Sequence, residues 1–263
     1  MQKYLDLALQ ASECAREIIM SAYHKNQFQI TIKDDQTPVT EVDVAVEKAI
    51  KSMILNQYPE HGFYGEEEGM QNIEAEFVWL LDPIDGTKAF VRGRPMFSCQ
   101  IALQHNGELI LGVSLAPAFN GGELAYALKG HGAFIKNGAS PQAQSLKIST
   151  ISELNQAVFS SGNIKSLAQN HIAWAKYGKF LNMINTTRGF GDFLHYHLLA
   201  AGKVDIVLES DVSILDVAAL AVIVCEAGGK MTQLDGKPLT LESRSILAAN
   251  PLLYDQAFKM LND

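Results

Sequence analysis

Residues 79–87 read Trp79-Leu80-Leu81-Asp82-Pro83-Ile84-Asp85-Gly86-Thr87: an apolar run, a carboxylate, a proline that fixes φ, a second carboxylate, then a glycine and a hydroxyl. A strand here delivers Asp82 to a sheet end, and the turn brings Asp85 and the Ile84 carbonyl round to the same point. Two carboxylates and a backbone oxygen are hard ligands, suited to magnesium or manganese rather than zinc. Gly86-Thr87 opens a short helix over 88–91 whose first N–H groups face outward and attract phosphate. Metal ligands next to an anion cradle are what phosphomonoester hydrolysis requires, because paired cations neutralise the phosphoryl oxygens and acidify the attacking water.

The plain alternative is an Asp-Pro turn followed by an Asp-Gly bend, both common on surfaces. Phospho-aspartyl chemistry of the haloacid-dehalogenase type also follows a strand, but it sets its aspartates at i and i+2, whereas Asp82 and Asp85 stand at i and i+3. Upstream, Gly65-Glu66-Glu67-Glu68-Gly69 offers further carboxylates, of which Glu68 reads as part of a solvated face. Downstream, Asp216 opens the apolar run Val217 to Cys225, where its plain reading is an N-cap.

The charge balance, 21 Lys plus Arg against 29 Asp plus Glu, is −8 with no basic block, which disfavours a nucleic-acid partner. Carboxylates gathered in one cleft must instead be neutralised, and divalent cations are the usual means. The longest apolar stretch, Val217 to Cys225, falls far short of the roughly 20 residues that span a bilayer. The amino terminus has no basic segment followed by an apolar one. Cys14, Cys99 and Cys225 are scattered in apolar surroundings and read as reduced core residues, so the expected setting is cytoplasmic, without a membrane and without a thiolate zinc site.

Leu5, Ala8, Leu9, Ser12, Ala15, Ile18, Ile19 and Ala22 mark a first amphipathic helix. Residues 29–33 alternate like a strand, and Thr40 caps a helix running to about Gln57 with Asp43 in its first turn. Strands are expected over 77–81, 97–104, 109–116 and 123–128, with Asn106-Gly107 as a hairpin turn, then over 157–161 and 204–208. Helices are expected over 164–176, 193–201 and 217–227, and residues 139–144 form a polar link. Hairpins first and alternating elements afterwards argue a layered α+β architecture. It divides into halves 1–140, carrying the metal site, and 141–263, supplying Asp216 and the substrate contacts, packed as one unit.

Gly65-Glu66-Glu67, Asp82 through Thr87, and Asp216-Val217-Ala218 with Glu226-Ala227-Gly228-Gly229, in that order, resemble the inositol monophosphatase superfamily. The likeness extends through Asp34 to Asp43, Gly130 to Asn137 and Ala248-Ala249-Asn250, nearly the whole chain. It implies an αβαβα sandwich, often a homodimer, and a magnesium-dependent, commonly lithium-sensitive phosphomonoesterase. It further implies that Glu66, Asp82 and the Ile84 carbonyl hold one ion, and Asp82, Asp85 and Asp216 a second, which supports the leaving alkoxide. By the same resemblance a third, weaker ion is expected near Glu66 through water, with Glu66 and Thr87, the latter oriented by Asp43, aligning and deprotonating the water. The resemblance also implies that the Gly86 and Thr87 N–H groups hold phosphate oxygens and that no phosphoenzyme forms.

Two departures bear on the substrate. Leu215 stands where animal inositol monophosphatases commonly have tryptophan, and Asp192 follows Gly191 where they have a small residue. With Glu209, which matches the family's substrate-contacting glutamate, Asp192 puts two carboxylates near the leaving alcohol and favours a cationic one by Coulomb attraction. L-Histidinol phosphate fits, and the motifs around Asp82, Gly191 and Asp216 look most like the histidinol-phosphate phosphatase branch. A helix cap at Asp192 is the plain alternative. Arg188 is expected nearby, either pairing with Asp192 or contacting a second phosphate, which keeps a 3'(2'),5'-bisphosphate nucleotidase open beside inositol-1-monophosphatase and a non-catalytic binding protein of the same fold. His195 and His197 read as ordinary helix residues.

Overall fold

The computed structural model describes residues 1–25, 28–32 and 38–262, so Lys33 and the stretch Asp34 to Thr37 named above lie outside the described residues. In chain order the first elements are α1 (Gln2–Lys25), β1 (Ile30–Ile32), β2 (Pro38–Thr40), α2 (Glu41–Gln57), β3 (Gly62–Gly65), β4 (Gly69–Gln71) and β5 (Phe77–Asp85). Then come α3 (Thr87–Val91), β6 (Ser98–His105), β7 (Glu108–Ala116), β8 (Glu123–Leu128), β9 (Ala133–Asn137) and β10 (Ser140–Ser145). The remainder is β11 (Val158–Ser161), α4 (Lys165–Gln169), α5 (His171–Leu181), β12 (Thr186–Arg188), α6 (Asp192–Ala200) and β13 (Ile206–Ser210). The chain closes with α7 (Ile214–Glu226), β14 (Lys230–Thr232), β15 (Ser245–Ala249) and α8 (Pro251–Asn262).

An eight-stranded sheet, in the order β10-β9-β8-β7-β6-β5-β3-β4, and a five-stranded one, β12-β11-β13-β15-β14, form two of five layers. The alternation of each central strand decides which layers it separates. On β5, Trp79 and Leu81 enter the core under α1 and α2, while Val78 and Leu80 enter the core beneath α6 and α7. On β13, Val207 joins that second core, while Ile206 and Leu208 pack with Tyr177 of α5 and Leu253 of α8. The result is an αβαβα sandwich. Helix α7 is its middle layer, between two sheets, which is why every residue from Val217 to Val224 is apolar and buried.

The Asn106-Gly107 hairpin forms with both residues at positive φ, 48° and 84°, the twist that suits a two-residue turn. Three expectations are corrected. Residues 139–144 are no link: β10 is an edge strand paired to β9. The helix expected over 164–176 is broken at Asn170, whose side chain accepts from Ile172 N and Ala173 N and starts α5. Of the cysteines, all free, only Cys99 is in the core; Cys225 is exposed. Among the described residues no helix is long and apolar enough to cross a membrane.

Candidate active site

In a regular strand residues i and i+3 face opposite ways. Asp82 pairs with Gln100 and Asp85 with Ser98, so β5 uses three steps where β6 uses two. This bulge, at a proline that has no N–H to offer the ladder, turns both aspartates to one side. Ile84 N donates to Asp82 Oδ1 at 3.0 Å, and Thr87 Oγ1 donates to Ile84 O at 3.0 Å. Gly86 has φ 85°, and a Cβ there would meet Met96 O at 2.8 Å, so the turn into α3 requires glycine.

Two helix starts supply the other aspartates by one device. Thr40 caps α2, and its N–H donates to Asp43 Oδ2 at 2.8 Å. Ser213 caps α7, and its N–H donates to Asp216 Oδ2 at 2.8 Å. Asp216 is therefore the third helical residue of a capping box and not itself the N-cap. One carboxylate oxygen each of Asp82, Asp85 and Asp216 lie within 4.8 Å of one another. Glu66 lines the same cleft of 860 Å³, as do Ile84, Gly86 and Thr87. The Glu66 turn is held from behind by buried Glu47, which accepts from Glu67 N at 2.9 Å and Glu68 N at 2.7 Å. A Cβ on Gly65 would lie 2.1 Å from Glu47 Oε1. Glu68 pairs with Lys51 at 2.8 Å on the surface, as its solvated reading requires.

The carboxylates of this cluster act on one another's ionisation. Burial, then Glu66, Asp85 and Asp216, hold the Asp82 carboxyl well above its usual range. Burial, then Asp192, Asp216 and Glu209, do the same to Asp85. Asp216 is raised to about 6 by burial despite the bonds from Ser213, and Asp43 is raised by burial despite those from Thr40. An all-oxygen, mutually repelling set of carboxylates, Asp82 buried and Asp85 and Asp216 half-buried, fits a hard divalent cation, which would restore their ionised forms.

Asp192 and Glu209 converge with Asp85 and Asp216 around a narrow recess beside the cleft, with Asn163 and Tyr196. Asp192 does not cap its helix: Gly191 is the N-cap, no side chain caps it, and Asp192 has φ 46°. Burial and Glu209 raise Asp192 to about 6, against the pull of His195 and Arg94. Glu209 accepts from Tyr196 Oη at 2.8 Å and shares a bond with His195 Nε2 at 3.1 Å. Gly162 leaves room for it, since a Cβ there would lie 2.1 Å from Glu209 Oε1.

Arg188, expected beside Asp192, is exposed on β12, and its Nη1 donates to the neighbouring Thr187 carbonyl. The cations at the cleft are Lys88, Arg94 and Arg244. His195 and His197 lie in α6, and each has a buried polar partner. Both are buried, the first against Glu209 and the second between Glu123 and Ser114 at 2.8 and 2.9 Å. Arg94 stands in the segment Gly93-Arg94-Pro95-Met96-Phe97, which shares the likeness to the histidinol-phosphate phosphatase branch. The i, i+4 step from Asp43 to Glu47 was a sequence signal for Glu47, and nothing local marks Tyr196 or Arg244.

A model of the inositol monophosphatase family matches residues 1–262. The chain belongs to that family. It is 38% identical over 265 residues to a histidinol-phosphatase of Mycobacterium tuberculosis, covering 98% of this chain and 97% of that protein. A histidinol-phosphatase of Streptomyces coelicolor is 34% identical, with 100% and 99% covered. The solved structure of the extragenic suppressor protein suhB from Bartonella henselae superposes with a TM-score of 0.87 at 26% identity, covering 99% of each chain. This phosphatase is thus a phosphoric monoester hydrolase whose floor carries a carboxylate cluster suited to a metal ion.

Proposed function

We propose that this phosphatase hydrolyses L-histidinol phosphate with Mg2+, using water as nucleophile. The observation that carries the substrate is the convergence of Asp192 and Glu209 on the recess bordered by Asp85. An amino-alcohol leaving group there meets two carboxylates in a partly desolvated pocket, where a neutral polyol gains no Coulomb attraction. The names of the relatives from M. tuberculosis and S. coelicolor support the same reading.

Glu66, Asp82 and the Ile84 carbonyl would hold one ion, and Asp82, Asp85 and Asp216 another. When bound, the ions supply charge neutralisation at the phosphoryl oxygens and a more acidic water. Thr87 has one hydroxyl proton and two acceptors in reach, Ile84 O at 3.0 Å and Asp43 Oδ1 at 3.4 Å. Were the carbonyl to serve as a ligand, that proton would turn to Asp43, and a lone pair of Thr87 Oγ1 would face the cleft to accept from water. Glu66 takes the water's other proton, the P–O bond to the alcohol breaks as the bond to the water oxygen forms, and the departing alkoxide takes its proton from solvent. The Gly86 and Thr87 N–H groups hold phosphate oxygens, and Glu209, fixed by Tyr196 and His195, orients the leaving alcohol. Both halves of the chain contribute, and we propose a homodimer in a cytoplasmic setting, with light scattering at twice the chain mass as its check.

The test is phosphate release by the purified protein, comparing kcat/KM for L-histidinol phosphate, myo-inositol 1-phosphate and adenosine 3',5'-bisphosphate, with EDTA as control. Preference for the first supports the proposal. Preference for the inositol ester refutes the substrate and keeps the metal chemistry; no magnesium-dependent release from any ester refutes both.

A further inference from the structure

Strand β6 backs the metal carboxylates, and two of its side chains are polar where their neighbours are apolar. Ser98 and Gln100, two residues apart and so on one face, are buried, while Cys99, Ile101 and Leu103 enter the core under α1 and α2. By register Ser98 stands opposite Asp85 and Gln100 opposite Asp82. Gln100 Nε2 donates to Ser98 Oγ at 2.7 Å, and Ser98 Oγ donates to Asp85 Oδ2 at 3.2 Å.

The direction of this chain is dictated from its carboxylate end. With a cation bound Asp85 is ionised and only accepts, so Ser98 must then give it the hydroxyl proton, as its 3.2 Å contact to Oδ2 allows. Ser98 Oγ then has only lone pairs left for Gln100, and Gln100 must present its NH2. The consequence is visible: Gln100 Oε1 is the one buried side-chain polar atom without a partner among the described residues. Turning the amide over would let Oε1 accept from Ser98, but it would take the proton away from Asp85. A buried orphan acceptor is unfavourable and requires a reason, and here the reason is the carboxylate at the other end.

We infer that Ser98 and Gln100 are positioning residues for Asp85: they hold Oδ2 in place and leave the remaining lone pairs of the carboxylate for a divalent cation shared with Asp82 and Asp216. The inference rests on the metal-site reading proposed above. Outer-layer partners of a metal ligand typically contribute 10- to 100-fold in metal affinity, because they fix the ligand's orientation before the ion arrives.

The experiment titrates Mn2+ into the full chain and its variants by calorimetry and records thermal unfolding of the metal-free proteins. Ser98→Ala should weaken Mn2+ binding by roughly 10- to 100-fold, with kcat recovered at high Mn2+, while Ser98→Thr, which keeps the hydroxyl, stays within about threefold of wild type. Gln100→Met removes both the donor and the orphan carbonyl. It should weaken Mn2+ binding while leaving the metal-free Tm unchanged or higher, a combination that a merely structural role would not produce. Wild-type Mn2+ affinity in both Ser98→Ala and Gln100→Met overturns the inference. Absence of Mn2+ binding in the wild-type protein removes the metal reading itself, and the inference with it, and is recognised without any variant.

Discussion

Asp82, Asp85 and Asp216 on the floor of the cleft, and Asp43 behind Thr87, are placed by devices in their own strand or helix start, whereas on the far wall Asp192 and Glu209 are placed by segments that meet only in the folded chain. The Glu66 turn leans on Glu47 of α2. Asp82 and Asp85 share a side because of one bulge at Pro83, and Asp43 and Asp216 are the third residues of capping boxes started by Thr40 and Ser213. Glu209 instead depends on His195 and Tyr196 from α6 and on the missing side chain of Gly162. The floor therefore rests on short-range chain geometry, and the wall on the packing of α6 against β13.

The comparison is broken most severely at the floor. Asp85→Asn should remove Mg2+-dependent phosphate release by more than roughly 100-fold, above what an outer-layer change costs, while circular dichroism shows a folded protein. Wild-type turnover in that variant would falsify the metal assignment. On the wall, Asp192→Asn should lower kcat/KM for L-histidinol phosphate by roughly 10- to 100-fold, about 1.4 to 2.7 kcal/mol, and leave a neutral monoester nearly unaffected. An equal loss on both esters would place Asp192 in the chemistry rather than in selection.

A pH series sharpens the contrast without mutation. The Asp216 carboxyl is raised from 3.8 to about 6, so metal-free protein holds that group protonated at low pH at no penalty. As pH rises through about 6 the group must ionise beside Glu66 and Glu209, and the stability it contributes is lost. In EDTA, Tm should therefore fall from pH 5 to pH 7.5 relative to an Asp216→Asn control. The gain in Tm on adding Mg2+ should grow over the same interval. A gain independent of pH would separate cation binding from these carboxylates. The smallest effect is expected at Arg188, exposed and bonded to its own neighbour: Arg188→Ala should leave kcat/KM within about twofold and stability within about 0.5 kcal/mol.

What could be read along the chain follows the same division. The helix capped by Thr40, the Asn106-Gly107 turn and strand 123–128 were legible because each depends on residues a few positions apart. The break at Asn170 was hidden, since an apolar pattern continues through it while the side chain caps the next helix. Edge strand β10 was hidden because an exposed edge has no buried face to impose alternation, and residues 140–145 are polar and mostly exposed.

The sequence by itself determined how four aspartates are presented, because a strand end, a proline and two capped helices carry Asp82, Asp85, Asp43 and Asp216 within their own local geometry. It also determined the family, through motifs spread over most of the chain. Only the tertiary structure decided that Arg94 rather than Arg188 acts on Asp192, that His195 and Tyr196 hold Glu209, and that Ser98 and Gln100 stand behind Asp85. Apart from Gln100 and Ser98, which share a face of β6, those pairings join residues 13 to about 100 positions apart, and such side chains meet only where strand pairing or the packing of layers brings their elements together.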